Sequence, residues 1–195
     1  MLIGILVCLF ISEVNALILK AFDNDVSYVT TVITPISEEV VKAIPILFYA
    51  VVFDNKKDTI MANALALGIG FGLFENTVLL VQNIGSVTLL WAVIRGFSTA
   101  LMHGICTLSV GLGISFVKKK KKLFFSGIFA LLTLAMVYHG IFNMLQTDYK
   151  WIGSLIPIVT YIPMLVVQYV LYKGKKKTKK AVPQKEIIPE TGSAD

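Results

Sequence analysis

Apolar residues fill six stretches of this chain, and polar residues are confined between them. The stretches run roughly Leu2–Leu19, Val26–Phe53, Ile60–Val81, Thr88–Val117, Leu123–Leu145 and Trp151–Tyr172. Runs of this length and character are expected to form helices that cross a bilayer. The pattern therefore predicts an all-α fold, a polytopic transmembrane helical bundle of about six spans over residues 1–172. The second and fourth stretches exceed one crossing and are expected to tilt or kink. Pro35 and Pro45 are candidate kink sites in the second, Pro157 and Pro163 in the sixth.

Composition agrees with the pattern. Of 195 residues 56% are hydrophobic, and the mean hydropathy is +0.77, well above soluble proteins. Residues 173–195 are rich in Lys and Pro. They cannot bury a core and are expected to form a disordered cytoplasmic tail.

The net charge of +6 is topogenic in its distribution and does not point to nucleic acid. With the N-terminus inside, the inner segments hold fourteen lysines and the outer segments only Lys20 and Lys150. The positive-inside rule then gives N-in, C-in. Val14-Asn15-Ala16 resembles a signal-peptide cleavage site, but no Lys or Arg precedes the apolar run. An uncleaved first helix is expected. Cys8 and Cys106 lie in apolar runs without spaced partners, so inert buried thiols are expected.

The polar residues inside the spans carry the chemistry. Span two holds Glu38, Glu39 and Lys42; span three holds Glu75 and Asn76; span four holds Arg95 and His103; span five holds His139 and Asn143. A charge at mid-bilayer costs about 2.5–3.5 kcal/mol on insertion scales, so a group of them marks a functional site. One intramembrane His or Asn is ordinary interhelical glue. Three carboxylates, both histidines of the chain, a Lys, an Arg and two Asn on four helices point instead to a shared polar site. Glu38 and Lys42 are four residues apart and share a face, the favoured order for an ion pair. Glu39 is turned by about 100° from Glu38, so the two carboxylates have different tasks. Gly68, Gly70 and Gly72 precede Glu75 and allow close helix packing. Glu13, with Ser12 and Asn15, lies in span one and has no assigned role.

Four segments then resemble the PrsW family of intramembrane proteases. They are Pro35-Ile-Ser-Glu38-Glu39-Val-Val-Lys42, Gly70-Phe71-Gly-Leu-Phe-Glu75-Asn76, Arg95 through Gly104 with His103, and His139-Gly-Ile-Phe-Asn143. They fall in the family's order within a core of residues 35–145. The family is related to the CAAX protease and bacteriocin-processing (CPBP) superfamily. CAAX enzymes have His where Glu75 stands, and this chain follows the PrsW version.

The resemblance implies a multi-pass enzyme of a bacterial or archaeal plasma membrane that cleaves a membrane-anchored protein. Site-1 cleavage of an anti-sigma factor is the family expectation. It further implies Glu38 as general base, Glu75 as its partner, and His139 and Asn143 at the oxyanion. His103 would orient water or protonate the leaving amine, and Glu39, Lys42, Asn76 and Arg95 would support. Glutamate-activated water without a metal is the expected chemistry. The rival is zinc held by Glu38, Glu75, His103 and His139, although the HExxH signature is absent. A Cys106 nucleophile would leave the carboxylates idle. Two other readings fit buried Glu and His: a small proton-coupled transporter, and a non-catalytic binding or immunity protein on the same scaffold. Mid-helix positions of Glu38 and His103, with Glu75 and Asn143 nearer the outer ends, predict cleavage in the outer half of the bilayer.

Overall fold

The computed structural model describes residues 1–53, 56–116 and 121–181. Among them there is no strand. The elements are α1 (Leu2–Ala21), α2 (Val26–Tyr28), a π-helical turn (Val29–Ile33), α3 (Thr34–Val52), α4 (Lys57–Gln82), α5 (Leu89–Ile114), α6 (Lys121–Asp148) and α7 (Lys150–Ala181). The chain divides into two compact units, Met1–Tyr161 and Ile162–Asp195. The site lies wholly in the first.

Four helices are long and apolar enough to cross a membrane: Leu2–Ala21, Lys57–Gln82, Leu89–Ile114 and Phe124–Asp148. They make this a multi-pass membrane protein. The three central charges of α3 lower its apolar character, and the apolar part of α7 is the shorter stretch Trp151–Pro163. Residues 173–181, assigned to the tail by composition, continue α7. The rest of that tail and Lys118 to Lys120 lie outside the described residues.

The centre of the first unit is α5, whose buried residues are spread over much of its length. It packs against α4, α6 and α3, while α1 packs on α4 and α3. Small residues set these distances. A Cβ on Gly68 would strike the backbone carbonyl of His103, and one on Gly72 would strike the carbonyl of Thr99 and the His103 ring. Gly68, Gly72 and Glu75 recur at spacings of four and three and so share the face of α4 turned to α5. Gly70 faces the other way, against Met1 on the α1 side.

The second apolar stretch is not one α-helix. Its α-helical register widens to a π turn over Val29–Ile33, just before Pro35. The Thr34 amide bonds to the Val29 carbonyl five residues back. In that register the Thr30 carbonyl would accept from residue 35, and Pro35 has no N–H to give. Pro45, by contrast, is accommodated inside α3.

Candidate active site

Helix α3 supplies two carboxylates and an ammonium, all buried: Glu38 is 4% exposed, and Glu39 and Lys42 are fully enclosed. The spacing rule favoured a Glu38–Lys42 pair. The structure corrects this: Lys42 Nζ donates to Glu39 Oε1 at 2.6 Å, three residues away. The reason lies on α5 and α4. Lys42 Nζ also donates to His103 Nδ1 at 2.7 Å and lies 4.5 Å from the centre of the Phe71 ring. His103 and Phe71 therefore draw the ammonium away from Glu38, and Phe71 adds a cation–π contact.

These contacts fix both imidazoles. Because an ammonium only donates, His103 Nδ1 is an acceptor and Nε2 carries the hydrogen. That N–H donates to Glu75 Oε2 at 2.6 Å. His139 Nδ1 lies 2.9 Å from the same Glu39 Oε1 that accepts from Lys42. His139 therefore donates through Nδ1, and in the neutral ring Nε2 keeps its lone pair. The two rings meet edge to face at 4.8 Å.

One place in the network is left open. His139 Nε2 and Glu38 Oε2 are both buried and have no hydrogen-bond partner. They are 3.9 Å apart, too far for a direct bond and suited to one small bridging species. The other Glu38 oxygen, Oε1, accepts from Asn15 Nδ2 of α1 at 3.4 Å. Ser37 Oγ donates to Asn15 Oδ1 at 2.8 Å and orients that amide. Asn15 is thus a site neighbour left without a role by sequence, whose only signal was an amide inside an apolar run.

Asn143 is not in this hydrogen-bonded cluster. Its Nδ2 donates to the Thr30 carbonyl at 2.9 Å, the carbonyl that Pro35 leaves unsatisfied. It lines a polar cavity of about 520 Å³ together with Glu75, Asn83, Trp91, Arg95 and Gln146. The cavity reaches the α4–α5 connection through Ser86 and Val87. Glu75 belongs to both places: its side chain is 32% exposed and holds His103. Arg95 Nη1 donates to Gln146 Oε1 at 2.8 Å, and Gln146 Nε2 donates to Ser154 Oγ at 2.8 Å. Asn76 is buried, with Oδ1 unpartnered, in the space left by the missing side chain of Gly96. Cys106 bonds to Met102 Sδ and the Ala135 carbonyl, not to a histidine. It is not placed as a nucleophile. Glu13 is exposed on α1.

The residues also fit a divalent cation. Glu38, His103 and His139 each offer a ligand atom within 4.8 Å of the others. Three ionised carboxylates against the Lys42 ammonium leave an excess of two negative charges, which a dication or two protons would balance. Imidazole with carboxylate suits zinc, and the Glu39–His139 contact is the kind that orients a ligating histidine. His103 is less available than His139, since its Nε2 already serves Glu75.

A protein-family model described as PrsW family intramembrane metalloprotease matches residues 1–170. No curated protein and no solved structure matches the chain. The match covers the four long apolar helices and every residue of the polar cluster, and the chain belongs to the PrsW family of intramembrane proteases.

Proposed function

We propose that this protein is an endopeptidase that hydrolyses a peptide bond of a membrane-anchored protein with a water held between Glu38 and His139. The observation that carries the reading is the pair of facing, unpartnered atoms, Glu38 Oε2 and His139 Nε2, 3.9 Å apart. A water there accepts from neither carboxylate oxygen nor lone pair; it donates to both, and its own lone pair is free for attack. Glu38 takes the water proton as the oxygen bonds to the carbonyl carbon. The oxyanion that forms needs donors. The second N–H of the Asn143 amide, on the cavity wall, is the candidate. Collapse breaks the C–N bond, and Glu38 returns the proton to the leaving amine. Glu39 holds the His139 tautomer, Lys42 neutralises Glu39 and holds His103, and His103 fixes Glu75.

A second reading shares the same atoms. The family description and the ligand spacing favour a bound metal, held by Glu38 and His139 with His103 or Glu75 completing the set. When bound, such an ion would polarise the water and the carbonyl oxygen. The tasks of Glu39, Lys42 and Asn15 are the same in both readings.

The lysine distribution supports N-in, C-in orientation in a plasma membrane. The cavity that reaches the α4–α5 connection would then open to the outer side. Cleavage near the outer leaflet follows, as expected of site-1 processing, with an anti-sigma factor as the candidate substrate.

The test uses the purified full chain and a tagged single-span substrate. Glu38→Gln and His139→Gln are expected to lower turnover by about 10²–10⁴-fold with folding retained. Undiminished cleavage in both variants contradicts the proposal. Zinc content near one per chain, with activity lost to a chelator and restored by metal, selects the second reading.

A further inference from the structure

Among the described residues, Arg95 is the one strongly basic group on the cavity wall, and the chemistry above does not use it. It is the seventh residue of α5 and sits inside a membrane-spanning helix. Among the described residues no carboxylate is ion-paired with it. Its Nε is buried and unpartnered. An unpaired guanidinium at membrane depth is costly, and this one is also built in place. Gln146 takes Nη1, Ser154 holds Gln146, and the Trp91 ring lies 5.4 Å from the guanidinium carbon. Neighbours thus fix the orientation of the group and leave donors over for the cavity.

We propose that Arg95 is a specificity site that binds the carboxylate of an Asp or Glu side chain in the substrate. The inference rests on the protease reading above and adds a substrate class to it. A planar guanidinium with its remaining donors free matches a carboxylate in two parallel bonds. The cavity is also polarised. Glu75 lies on the same wall but is occupied by His103, so a bound peptide meets a carboxylate at the reacting end and a guanidinium toward the α4–α5 connection. That arrangement accepts an acidic side chain in only one direction of threading.

The helix also gives a register. Arg95 and His103 are eight residues apart on one face of α5, about 12 Å along the axis. An extended peptide covers that length in about three to four residues at 3.3 Å each. The acidic residue is placed that far from the scissile bond, on the side of the α4–α5 connection.

The test is binding and cleavage of single-span peptides by the full chain in nanodiscs of neutral lipid. Asp is walked through the juxtamembrane positions, with Asn at the same position as control. Binding is measured on Glu38→Gln, where turnover plays no part, and cleavage on the wild type. The expected result is one register in which Asp binds at least ten-fold tighter than Asn. Arg95→Gln should bring that ratio to near one, and Arg95→Lys should keep part of it. A ratio near one at every register overturns the proposal, as does a preference that survives Arg95→Gln. Binding that follows the anionic-lipid content of the disc and ignores the peptide carboxylate makes this a headgroup site and also overturns it. Failure of the protease reading shows separately, as wild-type protein that binds the Asp peptide and cleaves none of the series.

Discussion

Asn143 of α6 donates its side-chain amide to the backbone carbonyl of Thr30 at 2.9 Å. The bond exists because Pro35, five residues after Thr30, has no N–H to offer in the π register. A helix-breaking residue of α3 thus frees the acceptor that holds a candidate oxyanion donor of α6. Asn143→Leu should lower stability by about 0.5–1.5 kcal/mol, the net worth of one hydrogen bond, since Thr30 is exposed. Pro35→Ala restores the N–H and should leave stability unchanged or raised while turnover falls, since Asn143 loses its anchor. Thermal melting in detergent, run beside cleavage, separates the two outcomes.

Lys42 is fully enclosed and serves Glu39 and His103 at once. Removing one partner of a buried ion pair costs about 3–5 kcal/mol because the other charge is left uncompensated. Lys42→Met should therefore be among the most destabilising single changes in the chain. Lys42→Met combined with Glu39→Gln should recover part of the loss. Denaturation midpoints of the two singles and the double give the coupling directly; strict additivity would contradict the pairing.

Gly72 lets α4 lie against α5 where His103 contacts Glu75. A Cβ there meets the Ala100 backbone, the Thr99 carbonyl and the His103 ring. Gly72→Ala should cost about 1–3 kcal/mol by overpacking and should lower turnover by displacing His103. Gly127→Ala is the control, since its Cβ would meet only the Gly113 Cα at an ordinary 3.7 Å. Its melting temperature should match or exceed the parent.

Asn15 reaches Glu38 from α1 and is itself oriented by Ser37. Asn15→Leu should reduce kcat several-fold and leave KM unchanged, because the Glu38 carboxylate loses one of its holds without change to the substrate cavity. An effect on KM alone would assign Asn15 to substrate binding.

Much of this was legible in the sequence. The apolar runs placed most of the helices to within a few residues, although α7 continues well past the end of its run and the second run is divided by a π turn, and the charges inside them named residues that the structure brings together as a candidate site. Helix geometry separated Glu38 from Glu39, and the structure gives them different neighbours. Other features had no local signal. Glu38 and Glu39 are both within reach of Lys42 along a helix, and the choice is made by His103 on α5. The π turn follows from Pro35 only when the helix is known to continue through it. Asn15 and Gln146 lie far along the chain from Glu38 and Arg95, and no spacing rule joins residues on different helices. The only trace of Asn15 was an amide inside an apolar run, which membrane burial makes expensive enough to be informative, and Gln146, just past the end of the fifth run, left none.

In the proposed mechanism Glu38 and His139 serve one water between them. A double-mutant cycle on kcat/KM with Glu38→Gln, His139→Gln and the double variant tests it most directly. Residues that act as a unit are grossly non-additive. If one water is shared, the double variant is scarcely slower than either single one. Losses that multiply, as for two independent groups, would contradict it.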